Sequence, residues 1–226
     1  MLLLQTKLTA AQIVEVMSTA LLETLIMVGI SGVATVILGI PLGVVLFTTQ
    51  RGGMSQNRVV SFVLSSVLVN ITRSVPYAIL VVALTKVTQS IVGTSLGPVA
   101  MSVSLTIAAV PFLARLVETA FREVHPGKLD AAHAMGSTKL QSIVKVLVPE
   151  AMPAIVAAIT TTIVTLIGYS AMAGLVGGGG LGRLGYVYGF QRWMLDVMLY
   201  TVIVLVVMVQ VIQFVGDRIS KAIDHR

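Results

Sequence analysis

The chain has 226 residues, of which 56% are apolar and only 11% charged, with a net charge of +6 and no cysteine. Its mean hydropathy of +0.99 is more than one soluble core of this size could bury. Composition excludes a secreted disulfide scaffold, a disordered tail and a typical cytosolic enzyme, and points to an integral membrane protein.

In chain order, residues 1–6 are apolar without a basic leader, and no small-residue cleavage site follows, so no cleaved signal peptide is expected. Residues 9–22 read as a helix near the membrane interface. Segments 24–47, 59–84, 96–114, 151–176 and 197–215 are then long enough to cross a hydrocarbon core of about 30 Å, which needs roughly 20 apolar residues. Barrel strands would be about 10 residues long and alternate in polarity. The expected fold is therefore all-α, an integral membrane bundle of five helices.

The pI near 9.9 fits basic cytoplasmic loops better than nucleic acid. Arg51, Arg58, Arg115, Arg122, Lys128, Lys139, Lys145, Arg218, Lys221 and Arg226 fall on one side of the five spans, against Lys7, Lys86, Arg183 and Arg192 on the other. Ten against four puts the N-terminus outside and the C-terminus in the cytoplasm.

Span one carries Gly39 and Gly43 around Pro41, a G-x-x-x-G pattern that permits close helix contact. Arg73 is the one formal charge well inside a span. An arginine there faces protein or water. It either meets a substrate carboxylate or satisfies carbonyls freed by Pro76. Gly93-Thr-Ser-Leu-Gly97 matches G-x-S-x-G literally, which raises a membrane serine hydrolase as a competing class. His125, His133 and His225 all fall on the opposite side from Ser95, so the match reads as chance. No H-E-x-x-H occurs and no metal site is expected. A passive channel would want a ring of acids or ordered carbonyls, and the spans as drawn contain no acid.

Residues 115–150 form a loop long enough to have its own structure. Pro126 suits a first helical turn, and Gly136 a left-handed end to that helix. Thr138 and Gln141 have capping-box spacing, and Pro149 marks where the second helix ends or kinks. Glu118 and Arg122 form an i,i+4 pair that extends span three. Ala131 and Ala132 put small residues on one side, so the loop is either a solvated connector or a docking knob. In span four, Met172 follows Tyr169 and Ser170; it is either ordinary filler or a flexible seal. Gly177 to Gly180 and Gly182 lack the Lys-Ser/Thr of a phosphate loop and read as an irregular outer loop.

The loop stretch Asp130-Ala-Ala-His-Ala-Met-Gly136, then nine residues, then Val146-Leu-Val-Pro149, resembles the EAA loop of ABC importer permeases. The family pattern is E-A-A, three residues, G, nine residues, I-x-L-P. Asp130, Val146 and Val148 depart from it while keeping charge or apolar character. The resemblance implies a coupling helix seated in a groove of an ATPase subunit, with Asp130, Ala131, Ala132, Met135, Gly136, Val146 and Pro149 as coupling residues.

Further segments are similar to the methionine importer permeases. These are Asn70-Ile-Thr-Arg-Ser-Val-Pro76, Ile91-Val-Gly-Thr-Ser-Leu-Gly97, Pro111-Phe-Leu-Ala-Arg-Leu-Val-Glu118, Gly168-Tyr-Ser-Ala-Met172, Gly178-Gly-Gly-Leu-Gly182 and Gln213-Phe-Val-Gly-Asp-Arg218. This implies a non-enzymatic transport subunit of the bacterial inner membrane that moves D- and L-methionine and derivatives. A permease for another small amino acid is the alternative. It also implies a homodimer, two ATPase subunits holding ATP and Mg, and a periplasmic methionine-binding lipoprotein. The chain itself would hold no cofactor. Residues 1–23 would be periplasmic, 24–215 the transmembrane domain and 216–226 a cytoplasmic tail. Met172, Tyr169, Ser170 and Arg73 are the candidates for gate and substrate path.

Overall fold

The computed structural model describes residues 8–50 and 53–224, apart from the side chains of residues 66–68. The expectations about residues 1–6, the charges Lys7, Arg51 and Arg226, and His225 fall outside the described residues. All regular structure within them is helical. Helix α1 is Ala10–Thr49, α2 Arg58–Ser74, α3 Tyr77–Ala83, α4 Thr85–Val92 and α5 Pro98–Arg122. Helix α6 is Pro126–Ala134, α7 Lys139–Gly178, α8 Gly180–Leu184 and α9 Leu195–Ile223. Among the described residues α1, α5, α7 and α9 are each long and apolar enough to cross a membrane, and α2 with α3 supplies a fifth crossing if the pair acts as one broken span.

Several elements depart from the linear reading. Thr9 caps α1 reciprocally with Gln12, and the helix then runs unbroken for 40 residues, so no boundary separates an interfacial helix from span one. At 1.5 Å per residue it is about 60 Å long, twice the hydrocarbon core. The second segment is not one helix. Pro76 forces Val75 into extended backbone (φ −89°, ψ 124°), which stops α2 and starts α3 afresh. Span three continues past Ala114 to Arg122. Pro149 does not end its helix: α7 widens into a π turn at Ile143–Leu147 and carries on. Lys145, whose carbonyl a proline four residues on would strike and cannot bond, lies within that wider turn.

The chain forms two compact units. One gathers Met1–Val33, Pro76–Ile107 and Ile163–Val211, and the other Ala34–Val75, Ala108–Thr162 and Ile212–Arg226. The first is centred on Ala20, Leu181, Leu184 and Val197. Its glycine run lets α8 start against α1: the backbone N–H of Gly180 donates to Glu23 Oε2 (2.6 Å) and that of Leu181 to Thr24 Oγ1 (2.9 Å). Gly179 and Gly180 both have positive φ, and a Cβ on Gly180 would stand 2.6 Å from Thr24 Oγ1. Gly182 lies so close to Ala171 that a side chain there would meet backbone. The glycines are close-packing sites as well as a loop.

The second unit is built on Leu113, Val117, Phe121, Leu147 and Ile155. The G-x-x-x-G pattern finds its partner inside the chain, because Gly39 packs on Leu113 and Gly43 on Val117. Phe47 and Phe121 add a tilted ring pair at 5.7 Å between the same two helices.

Candidate docking loop and transport path

The loop begins from a fixed base. Glu118 on α5 is buried and receives Arg115 Nη1 at 2.6 Å and Arg122 Nη2 at 2.5 Å. Arg115 Nη2 also donates to Ser65 Oγ (2.9 Å) and Asn70 Oδ1 (3.1 Å) on α2. Arg122 Nη2 reaches Gln50 Oε1 at 2.8 Å, just beyond α1. The expected Glu118–Arg122 pair is thus part of a larger network that ties α5 to two neighbours. Arg115 reads from the sequence as a loop charge. The same extension of span three that pairs Glu118 with Arg122 puts Arg115 at i−3 from Glu118, which is the signal for its role.

From this base the chain turns into α6. His125 Nδ1 accepts the N–H of Gly127 (3.1 Å), and Pro126 occupies the first turn as expected. The end of α6 is a Schellman turn: Ser137 N–H donates to Ala132 O (3.1 Å) and Gly136 N–H to His133 O (2.9 Å). Gly136 has φ +81°, the left-handed value predicted for it. Thr138 and Gln141 form the predicted capping box at the head of α7. Ser137 and the buried Ser142 join hydroxyls at 2.7 Å, and Lys128 pairs with Glu150.

The residues expected to couple do not share one face. Asp130, Ala131, Gly136 and Pro149 are exposed and Met135 is 83% exposed, but Ala132 is buried and Val146 half-buried. Ala131 and Ala132 cannot lie on one side, since successive helical residues are separated by about 100°. Ala132 packs inward while Ala131 faces out. Two apolar residues that the linear reading missed, Leu140 and Val144, stand exposed at the start of α7. Their i,i+4 spacing was the available signal. Asp130 and His133 line a groove of about 460 Å³ floored by Phe47, Phe121 and Leu129.

The proposed path residues separate. Met172 is 44% exposed and borders an apolar groove of about 510 Å³ with Gly168, Ala171, Leu175 and Met198. Tyr169 instead stacks on Tyr77 (4.7 Å, 8° between planes), whose hydroxyl meets Ser104 Oγ at 3.1 Å. Ser170 is buried and spends its hydroxyl on Ile167 O at 2.7 Å, so it lines nothing. Arg73 does not bond the carbonyls near Pro76; it is exposed, with its guanidinium carbon 5.8 Å from the Phe112 ring centroid. Gly93 closes α4 with φ +82°, and Gly97 donates its N–H to Gly177 O at 3.0 Å. The G-x-S-x-G glycines therefore serve turns.

Among the described residues, four or five apolar helices of membrane-crossing length with a built two-helix loop between two of them define a multi-span membrane protein. Residues 36–226 match the family described as binding-protein-dependent transport system inner membrane component, and the chain belongs to that family. It is 50% identical over 212 residues, covering 94% of each chain, to the probable D-methionine transport system permease protein MetI of Vibrio cholerae. It is 46% identical over 181 residues to the methionine import system permease protein MetP of Bacillus subtilis, covering 80% of this chain and 81% of that one. A chain from inward-facing conformations of the MetNI methionine ABC transporter superposes with a TM-score of 0.93 at 43% identity, over 96% of this chain and 100% of that one.

Proposed function

We propose that this chain is the permease subunit of a type I ABC importer that carries methionine from the periplasm to the cytoplasm. Two copies form the pathway, two ATPase subunits bind ATP and Mg beneath it, and a periplasmic binding protein delivers the substrate. Five spans, the second broken at Val75–Pro76, leave the N-terminus outside and the C-terminus in the cytoplasm, in accord with the distribution of Lys and Arg. The likeness to the MetNI chain over almost the whole length is the observation that carries the reading.

ATP binding draws the ATPase subunits together and with them the loops seated on them. Asp130, Ala131, Met135, Gly136 and Pro149 meet the ATPase directly, joined by Leu140 and Val144. Ala132 and Val146 act from inside, by holding the loop's shape. The Arg115–Glu118–Arg122 network passes the movement into α5, α2 and the end of α1 as a rigid displacement. At the other end of the path, Met172 seals the way by packing against its copy in the second subunit. Tyr169 supports that segment through its stack on Tyr77. Arg73 lies on the wall of the path. The permease does no bond chemistry of its own.

The test is uptake of radiolabelled methionine into proteoliposomes holding this chain with its ATPase and binding protein. ATP-dependent accumulation is expected. Flux that runs equally without ATP would make the protein a channel, and accumulation of a different amino acid alone would correct the substrate.

A further inference from the structure

A second polar cavity, of about 500 Å³, lies in the first unit and is assigned no role above. That is within the size range of small-ligand pockets. Two charged residues of opposite sign border it, Glu23 from α1 and Arg183 from α8. Leu96, Leu175, Tyr186 and Val187 complete most of the side-chain lining, and the bare backbone of Gly177–Gly179 leaves the space open. Glu23 is part-buried and held in place, since its Oε2 accepts the Gly180 N–H. Its Oε1 takes no hydrogen bond among the described residues. The Arg183 guanidinium makes no hydrogen bond or ion pair among the described residues. The chain thus presents an anchored carboxylate and an uncommitted guanidinium on the lining of one cavity, whose other side chains are mostly apolar.

We infer that this cavity is a binding site for a zwitterionic α-amino acid with an uncharged side chain. Glu23 receives the ammonium group, Arg183 the carboxylate, and Leu96, Leu175 and Tyr186 the apolar tail. The guanidinium fork suits a carboxylate in two-point contact. The inference deepens the methionine reading above and rests on it for the identity of the tail, since a thioether fits an apolar wall. It differs from that reading in placing recognition within the permease as well as in a delivery protein.

The chain lacks cysteine, so Val187→Cys, at a lining residue with no part in holding the ligand, gives a single thiol per chain at the cavity wall. The assembled transporter carrying that change, in proteoliposomes, is labelled with a membrane-impermeant maleimide while methionine is titrated to saturation. Labelling should slow about fivefold or more with methionine. It should stay unchanged with methioninol, which lacks the carboxylate, and with N-acetylmethionine, which lacks the ammonium. Arg183→Met, and separately Glu23→Gln, which keeps an acceptor for Gly180, should abolish the protection. Protection that survives Arg183→Met, or that the two analogues give equally, overturns the inference. So does an absence of protection in vesicles that still accumulate methionine with ATP, an outcome that leaves the parent reading standing. Vesicles of the unaltered chain that fail to accumulate methionine at all would overturn the parent reading instead.

Discussion

Replacing Glu118 with glutamine should weaken the protein more than removing either arginine's visible surface contact suggests. The carboxylate's side chain is only 4% exposed and is held by both Arg115 and Arg122. Breaking one partner of a buried ion pair typically costs about 3–5 kcal/mol. Here Arg115 is 24% exposed and keeps its bonds to Ser65 and Asn70, which reduces the cost to about 2–3 kcal/mol. Arg122 is 55% exposed, so Arg122→Met should cost no more than about 1 kcal/mol. For a chain of this size one kcal/mol moves Tm by about 2–4 °C, which makes Glu118→Gln a loss of about 4–12 °C and Arg122→Met a loss under about 4 °C. Thermal unfolding of the purified transporter in detergent, followed by the chain's single tryptophan, reads both. Equal shifts for the two variants, or a shift under about 2 °C for Glu118→Gln, would refute the claim that Glu118 is the hub.

Gly43→Val puts a Cβ 2.7 Å from that of Val117 and 2.9 Å from the Ala114 carbonyl oxygen, so it should cost about 1–3 kcal/mol by overpacking, and Val117→Ala in the same chain, which keeps its Cβ, should recover only a minor part of the lost Tm. Gly136→Val should lower ATP-driven uptake, because a β-branched residue at φ +81° costs about 1–2 kcal/mol, although no atom lies within 4 Å of the added carbon. Gly136→Asn, which tolerates that backbone, should retain most uptake. Met172→Ala should raise ATP hydrolysis in the absence of the binding protein; unchanged basal hydrolysis would reduce Met172 to packing.

The parts legible in the sequence are those governed by neighbours within a turn or two. Pro126, Gly136 and the Thr138–Gln141 pair each act through local backbone geometry, and the structure has them as read. Hydropathy alone joined 59–84 into one span because Val75 and Pro76 are as apolar as their surroundings, whereas it is backbone torsion that breaks the helix. Tyr169, Ser170 and Met172 were grouped by adjacency, yet helical rotation sends one to a ring stack, one into the core and one to an open groove. The Glu23–Gly180 bond joins residues 157 apart, and no local rule can pair them. Glu23 sits one residue outside the uncharged stretch 24–47, so a span bounded by its lack of charge leaves this acid out.

The central claim is that the turn around Met135 and Gly136 seats in the ATPase. Because the chain has no cysteine, Met135→Cys can carry a photoreactive maleimide at a residue that is 83% exposed. Illuminated in the assembled transporter, it should join this chain to the ATPase subunit in high yield, and the same probe on Tyr200→Cys should not. An intact complex in which Met135→Cys captures only lipid or a second permease would contradict the account.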